Sequence, residues 1–316
     1  MFSHPLVIDL DGTLICTDML HESALRVLRD RPFDVLLIPY WLAQSKAVLK
    51  RQLAERTRID PASLPYNHDL LGWLKQQRAQ GRKLILCTAT DRFLAEAIAQ
   101  HLGIFEEVIA SDGICNLSGS HKAQTLEQRF GHAGFDYAGN STADLAVWRC
   151  ARRAIVVNAS TELARQAGVH CEVERVFSSS PPGFAAWPQV LRIHQWLKNL
   201  LLFVPLVAAH QIANADSWLT LVLAFASFSL CASSVYIAND LLDLESDRKH
   251  SRKYSRPFAS GRVPVVTGVV LMPVLLTASL VIAWQVGSNF FSWLMFYFVL
   301  TCAYSWGLKR LVLVTA

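Results

Sequence analysis

Charged residues are scarce in this chain of 316 residues: Asp, Glu, Lys and Arg make up 17% of it, against about 25% in ordinary soluble domains. They are also unevenly distributed. Residues 1–190 hold 20 basic and 20 acidic side chains, whereas residues 191–316 hold 10 and 5 and account for the whole net charge of +5. This composition excludes a disordered or purely soluble protein and predicts a water-soluble part followed by a membrane part. No nucleic-acid partner is expected.

Cysteines are few and scattered, seven in all without a CxxC pair, so the sequence suggests neither a disulfide framework nor a zinc site. A reducing compartment fits this pattern best. The N-terminal sequence also lacks the cationic segment and long apolar stretch of a signal peptide. We therefore expect the first domain to stay in the cytosol.

Short apolar runs, typical of buried parallel strands, recur in the first part at Leu6–Ile8, Leu84–Cys87, Val108–Ala110 and Ala154–Val157. Helix-like segments such as Asp69–Gln80 and Arg92–His101 separate them. The pattern predicts an α/β domain, which binds ligands at the carboxyl ends of its strands. Residues 16–68 show helical patterning without a strand signal and predict a helical cap. The predicted domains are 1–176 and 191–316, joined by a Ser- and Pro-rich linker at 177–190.

The predicted cap contains a strongly apolar run from Phe33 to Leu42, interrupted by Pro39. One interpretation is that the run packs inside the cap. The other is that it touches the bilayer or a lipid tail and brings a lipid-linked phosphate to the first domain.

Long uncharged stretches dominate the second part, the last of them 46 residues from Val263 to Leu308. Because a membrane helix needs about 20 apolar residues, we predict four helices, near 197–213, 217–239, 265–286 and 290–307. The loop at 240–262 and the end of the fourth helix are basic, whereas the two intervening turns have no Lys or Arg. The positive-inside bias therefore predicts a multi-pass protein of the cytoplasmic membrane, with the first domain on the cytosolic side.

Two aspartates, Asp9 and Asp11, follow the first strand run. Alternate residues of an extended chain point the same way, so both carboxylates can face one reacting group. Phosphoryl transfer through an aspartyl-phosphate needs such a pair, one carboxylate to attack phosphorus and one to move protons. The alternative is that an isolated Asp-x-Asp is a turn or a surface metal contact.

Three further elements follow in order: Thr88 at the end of the second strand run, Lys122, and Asn140 with Asp144. Together with the aspartates they resemble the four motifs of haloacid dehalogenase (HAD) superfamily phosphatases, over about residues 4–175. The resemblance implies a Rossmann-like fold and a Mg²⁺ cofactor. It implies that Asp9 is the nucleophile, Asp11 the general acid/base, and Thr88 and Lys122 phosphate binders. Asp9 and Asp144, with Asp11 and Asn140, are the candidate metal ligands, Asn140 standing where many family members have an acid.

A second acidic motif stands at the cytosolic end of the second predicted membrane helix and comprises Asn239, Asp240, Asp243 and Asp247. Spacings of three and four predict that the aspartates share one helical face. Carboxylates held in this way can bind Mg²⁺ that bridges to a diphosphate. An ordinary charged loop, the alternative, would not explain the regular spacing.

The string from Asn239 to His250, with Arg256 to Gly261 downstream, looks like the first aspartate-rich motif of UbiA-type intramembrane prenyltransferases. Tyr304 to Lys309 resembles the segment that ends the fourth helix of that family. The resemblance implies an all-α transmembrane bundle in which the acidic motif binds Mg²⁺ and a diphosphate. Its further candidate substrate-binding residues are Arg248, Arg256, Lys198 and Lys309.

The segment Leu191–Asn199 is similar to one in decaprenyl-phosphate phosphoribosyltransferases, whose donor is phosphoribosyl diphosphate and whose acceptor is a polyprenyl phosphate. Alternatively, Arg192, Trp196 and Lys198 simply anchor the chain at the membrane interface. The UbiA-type fold has nine helices and a second acidic motif, and about four helices and one motif are predicted here. We therefore expect no transferase activity from this chain alone.

These observations predict a membrane-bound bifunctional enzyme, a Mg²⁺-dependent HAD phosphatase joined to a UbiA-family transferase, acting on polyprenyl-phosphate intermediates. Polyprenyl (di)phosphate or phosphoribosyl diphosphate is the expected substrate and the lipid bilayer the expected partner. One alternative is an aromatic prenyltransferase of the quinone pathway with an attached phosphatase. Another is a non-catalytic HAD docking module on a membrane anchor.

Overall fold

The computed structural model describes residues 4–178, 183–204, 208 and 215–305, and it divides into two compact units, Met1–Pro181 and Pro182–Ala316. The first unit is built on a six-stranded parallel sheet with the order β3-β2-β1-β4-β5-β6. Its strands are β1 (Leu6–Ile8), β2 (Leu84–Asp91), β3 (Glu107–Ser111), β4 (Asp136–Gly139), β5 (Arg153–Val157) and β6 (Glu172–Phe177).

The sheet is buried on both faces, which is why β1, β2 and β5 contain apolar runs. Leu6 and Ile8 of β1 point into one apolar core, and Val7 between them points into the other, beside Tyr137. Helices cover the two cores, and the predicted α/β class is confirmed. The helices of this unit are α1 (Met19–Asp30), α2 (Ile38–Gln44), α3 (Lys46–Arg56), α4 (His68–Ala79), α5 (Arg92–Leu102), α6 (Ser120–Phe130), α7 (Leu145–Trp148) and α8 (Thr161–His170).

Two strands, β4 and β6, have no counterpart in the sequence prediction, for different reasons. β4 has four residues and begins at the fully buried Asp136, whose carboxylate binds Arg82 and Arg152. Because the strand begins with a charged residue, its sequence does not indicate that it is buried. β6 is an edge strand whose six residues are all partly or fully exposed, three of them charged, and an edge strand needs no continuous apolar run.

The segment between β1 and α4 is helical: α1, a 3₁₀ helix (Pro32–Leu37), α2, α3 and a short 3₁₀ turn (Pro61–Ser63). Asp18 begins α1 by accepting the Leu20 N–H, and Ser45 begins α3 by accepting the Val48 N–H. These helices enclose a small apolar core of their own, formed by Val27, Trp41, Leu49 and Leu53. We refer to them as the cap.

The second unit is helical, and its helices outnumber the four or so predicted because short helices flank the apolar ones. They are α9 (Ala186–Val190), a 3₁₀ helix (Ile193–Phe203), α10 (Ala215–Leu242), α11 (Leu244–Lys249), α12 (Val265–Val286) and α13 (Ser288–Ala303). Both α10 and α12 are long and apolar enough to cross a membrane. α13 is apolar, and the predicted helix 290–307 extends beyond the described residues.

The first predicted membrane helix, 197–213, takes a different form in its described part, which belongs to the 3₁₀ helix; most of its remainder lies outside the described residues. This 3₁₀ helix packs along α10 through polar contacts. The Trp196 indole donates to the Ser233 hydroxyl (3.0 Å) and the Asn199 amide to the Ser229 hydroxyl (2.9 Å). Buried small polar residues of this kind are typical of contacts between membrane helices.

Candidate active site

The two aspartates after β1 lie on a tightly held loop at the carboxyl end of the sheet. The Asp9 N–H donates to the Ala138 carbonyl of β4 (3.0 Å). Gly12 has φ +72°, a left-handed conformation that favours glycine, and the Asn158 side chain donates to its carbonyl (2.9 Å). Contacts from β4 and from the residue after β5 therefore set the position of the aspartate pair.

Gly12 also leaves room for a predicted site residue, because a methyl group there would overlap the Asn140 side-chain amide. We expect Gly12→Ala to destabilise the first unit by roughly 3 kcal/mol, through backbone strain and this overlap together. Gly81→Ala is the matched control, since Gly81 has φ +86° with open space around its Cα. It should cost only about 1 kcal/mol. Denaturant unfolding measures both, and equal losses would contradict the overlap.

A buried hydrogen-bond chain connects three of the predicted site residues. The Lys122 ammonium donates to an Asp9 oxygen (2.7 Å) and to the Tyr137 hydroxyl (2.9 Å). That hydroxyl in turn donates to Asp144 Oδ1 (2.8 Å). The structure therefore brings Asp9, Lys122 and Asp144 together from three distant parts of the chain.

Burial governs the ionisation of this group. It raises the pKa of Asp9, the Lys122 ammonium opposes that shift, and the carboxylates of Asp144 and Asp11 add to it. Burial alone would lower the pKa of Lys122, but Asp9 and Asp144 outweigh it, so Lys122 stays charged. The pKa of Tyr137 is raised well above its usual value, which keeps its hydroxyl protonated.

Asp11 is held separately, at the end of β2. Its Oδ1 accepts the Met19 N–H (2.8 Å) and its Oδ2 the Thr90 hydroxyl (2.7 Å), while the Thr88 hydroxyl lies 3.5 Å from Oδ2. Burial, followed by the nearby Asp18 carboxylate, raises the pKa of Asp11. A carboxyl group with a raised pKa is suited to give and take protons.

Asp144 organises the loop after β4. Its Oδ2 accepts the N–H groups of Asn140 (3.0 Å) and Ser141 (2.9 Å) and the Ser141 hydroxyl (2.9 Å). Gly139 allows this close approach, because a methyl group there would lie within 2.8 Å of the carboxylate. Asn140 is thereby placed against the aspartate loop.

The charge balance of this site suits a divalent cation. Asp9 and Asp144 are buried carboxyl groups and Asp11 is partly buried, while the buried Lys122 ammonium pairs directly with Asp9 alone. Within the described residues no three His, Cys, Asp or Glu side chains form a group that could hold a metal ion. Mg²⁺, however, commonly uses only one or two carboxylates and completes its shell with water and substrate phosphate. Asp9 and Asp144 fit that requirement.

The second acidic motif lies where α10 passes into α11. The helix is interrupted at Asp243, yet the backbone bonds continue, because the Asp243 N–H donates to the Asn239 carbonyl and the Asp247 N–H to the Asp243 carbonyl. Asp240 and Asp247 are joined by Arg256, whose Nη1 lies 3.1 Å from Asp240 Oδ1 and 2.6 Å from Asp247 Oδ2.

Arginines therefore neutralise two of the three aspartates predicted to bind Mg²⁺, and a three-carboxylate metal group is not assembled among the described residues. Burial raises the pKa of Asp247 and Arg256 opposes this. Arg248 donates to the Ala259 carbonyl (2.8 Å) and Lys198 is exposed. Lys309, the remaining predicted phosphate partner, lies outside the described residues.

Sequence reasoning missed several residues that the structure places in these sites. Tyr137 links Lys122 to Asp144, and Thr90 holds Asp11. Lys50 of the cap reaches the end of β2, where it donates to the Ala89 carbonyl (2.7 Å). Arg192, predicted only as a possible interfacial anchor, binds Asp240 (2.6 Å) and stacks over the Tyr236 ring. None of them carries a local signal in the sequence, and the left-handed backbone of Arg192 is visible only in the structure.

A capped parallel sheet with an aspartate pair at its strand ends defines the first unit as an α/β domain of the hydrolase class, followed by a helical unit with apolar, membrane-length helices. Family models agree: residues 6–149 match the haloacid dehalogenase-like hydrolase model and residues 200–315 the UbiA prenyltransferase family. The chain thus contains a haloacid dehalogenase-like domain followed by a UbiA-family domain, as predicted. Both are enzyme families, one of hydrolases and one of prenyltransferases.

Two relatives are similar over different extents. The chain is 38% identical over 313 residues to the uncharacterized protein y4nM of Sinorhizobium fredii, which covers 98% of this chain and 60% of that protein. It is 40% identical over 126 residues to a decaprenyl-phosphate phosphoribosyltransferase of Mycolicibacterium smegmatis, covering 39% of this chain and 40% of that enzyme. The chain therefore spans less than two thirds of either relative.

Among solved structures, a substrate-bound phosphoserine phosphatase aligns with 57% of this chain and 95% of its own, at 12% identity and a TM-score of 0.39. A protein of unknown function from Bordetella pertussis aligns with 56% of this chain and 99% of its own, at 17% identity and a TM-score of 0.44.

Proposed function

We propose that the first unit is a Mg²⁺-dependent phosphomonoesterase that works through a phosphorylated Asp9. The observation that carries this proposal is the buried chain from Asp9 through Lys122 and Tyr137 to Asp144, with Asp11 fixed beside it. Such an arrangement combines a nucleophile, a cation for phosphate oxygens and a separately held proton carrier.

The reaction divides between the two aspartates. An Asp9 carboxylate oxygen attacks phosphorus while the bond from phosphorus to the leaving oxygen breaks, and the protonated Asp11 gives its proton to that oxygen. Asp11, now ionised, takes a proton from a water molecule that attacks the aspartyl-phosphate. Inorganic phosphate leaves and Asp9 is regenerated. The hydrogen bonds from Met19 and Thr90 keep Asp11 oriented through both steps.

Mg²⁺ bound by Asp9 and Asp144 would supply positive charge next to the transferring phosphoryl group and favour the ionised form of Asp9. We therefore expect EDTA to lower the hydrolysis of p-nitrophenyl phosphate by the full chain on the order of 10²-fold or more, and Mg²⁺ to restore it. Phosphate release before and after chelation measures this. Undiminished turnover after complete chelation would contradict the Mg²⁺ requirement.

We further propose that the second unit is part of a phosphoribosyl transferase that acts on polyprenyl phosphate, and that the phosphatase acts on phosphorylated products of the same lipid. Similarity to decaprenyl-phosphate phosphoribosyltransferases supports this donor and acceptor. The basic loop at 240–262 supports a multi-pass protein of the cytoplasmic membrane with the first unit in the cytosol.

Donor binding tests the transferase proposal. The full chain in lipid nanodiscs is titrated with phosphoribosyl diphosphate and with geranylgeranyl diphosphate, each with Mg²⁺, and heat of binding is recorded. We expect phosphoribosyl diphosphate to bind at least about tenfold more tightly, a difference of about 1.4 kcal/mol. Tighter binding of the prenyl diphosphate would favour an aromatic prenyltransferase instead.

A further inference from the structure

The apolar run of the cap divides between two faces. Val35, Ile38 and Trp41, three residues apart, pack against the small cap core. Five other apolar side chains of the run are exposed and form what we call the outward cap face. Its members and exposed fractions are Phe33 (83%), Leu36 (78%), Leu37 (43%), Tyr40 (64%) and Leu42 (48%).

The exposed apolar side chains of the first unit are concentrated in this face rather than scattered over the surface. Five of the nine exposed large apolar side chains described in residues 4–178 fall within these ten residues. Four of them, at positions 33, 36, 37 and 40, lie on the 3₁₀ helix and the first turn of α2 that follows it. The first interpretation of the run, packing inside the cap, therefore holds only for its inward half.

The charges around the face suit a lipid surface. Between Arg31 and Lys46, which are both exposed, the single charged residue is Asp34. Its carboxylate is paired with Arg56 (3.4 Å) and Arg31 (4.0 Å). The face thus presents aromatic and aliphatic side chains with a cation at each end, the pattern of segments that lie in the interface of an anionic bilayer.

The size of the face also favours a membrane over a second protein. Five partly exposed side chains offer roughly 500 Å² at about 100 Å² each, below the ~800 Å² per partner of a stable protein interface. Insertion into lipid has no such threshold, because binding scales with the apolar area buried. The same chain also carries α10 and α12, which are long and apolar enough to cross a membrane, so insertion of these helices would tether the cap to a bilayer.

We propose that the outward cap face inserts into the interface of an anionic phospholipid bilayer. Insertion places the apolar side chains among acyl chains and Arg31 and Lys46 at the level of the lipid phosphates. The proposal does not depend on the reaction of either unit. It describes where the cap docks, whatever substrate the aspartates act on.

Photo-crosslinking of the full chain tests this directly. Leu36 is replaced by p-benzoyl-phenylalanine, the protein is placed in nanodiscs of phosphatidylglycerol and phosphatidylcholine, and lipid adducts are identified by mass spectrometry after irradiation. The matched control is the same replacement of Val169, which is 70% exposed and lies on α8 outside the face. We expect at least fivefold more lipid adduct at position 36 than at 169.

Hydrogen exchange supplies a second measurement with a point variant. In anionic nanodiscs, amides 32–44 should exchange several-fold more slowly than in detergent, and Leu36→Glu should remove the difference. Because Leu36 is exposed, the variant should keep wild-type hydrolysis of p-nitrophenyl phosphate. The proposal would be overturned by equal lipid adducts at positions 36 and 169, by no adduct at 36, or by chain-to-chain adducts instead of lipid adducts. It would also be overturned if the Leu36→Glu variant kept the wild-type slowing of exchange in nanodiscs.

Discussion

Asp9→Asn is expected to reduce the hydrolysis of p-nitrophenyl phosphate by on the order of 10³-fold or more, because an amide cannot attack phosphorus and form the aspartyl-phosphate. The two side chains are similar in size, and the Lys122 ammonium can still donate to the remaining oxygen. The fold should therefore persist. Steady-state phosphate release by the full chain measures the loss, and trapping with labelled substrate should detect a phosphoenzyme in wild type alone.

The matched control is Asp69→Asn, since Asp69 is an exposed acid in the first turn of α4. It should leave turnover within about twofold of wild type, as surface substitutions have small effects. Phosphoenzyme in the Asp9→Asn variant, or hydrolysis at the wild-type rate, would remove Asp9 from the nucleophile role. If the first unit is instead a non-catalytic docking module, neither the wild type nor any variant should hydrolyse the substrate.

Lys122→Met is expected to have the second largest effect, on both activity and stability. Turnover should fall on the order of 10²- to 10³-fold, because the buried ammonium would no longer stabilise charge on the transferring phosphoryl group. The first unit should lose about 3 kcal/mol of unfolding free energy at neutral pH, since removing one partner leaves the Asp9 and Asp144 carboxylates buried without their cation.

This stability loss should depend on pH. Burial raises the pKa of Asp9 in the folded state, and loss of Lys122 raises it further, so the folded variant binds a proton that the unfolded chain releases more readily. The variant should therefore be more stable at pH 5 than at pH 8, relative to wild type. Denaturant unfolding, followed by hydrogen exchange in β1 and β4, measures this difference, and a pH-independent loss would contradict it.

A double variant separates the two effects of Lys122. Combining Lys122→Met with Asp9→Asn removes the unpaired charge at Asp9, so most of the lost stability should return while activity stays absent. Lys75→Met, at an exposed position of α4, is the matched control and should change neither quantity. If the double variant is as unstable as the sum of the single ones, the ion pair does not account for the loss.

Much of the fold was predictable because the signals are local. Apolar runs are typical of buried strands and identified β1, β2, β3 and β5, and the uncharged stretches identified α10 and α12. Apolar runs did not reveal the strands in which burial does not follow from an apolar sequence. β4 begins with a buried aspartate that is neutralised by arginines far away in the sequence, and β6 is an exposed edge.

The sequence by itself determined the two domain families, the aspartate pair and the acidic motif, because these depend on residue type and short spacing. Only the tertiary structure decided which charges meet. Strand order brings Lys122 to Asp9 across 113 positions, and Arg256 folds back onto Asp240 and Asp247. It also decided which half of the cap's apolar run faces outward. Such pairings depend on how distant segments pack, and no local periodicity encodes that.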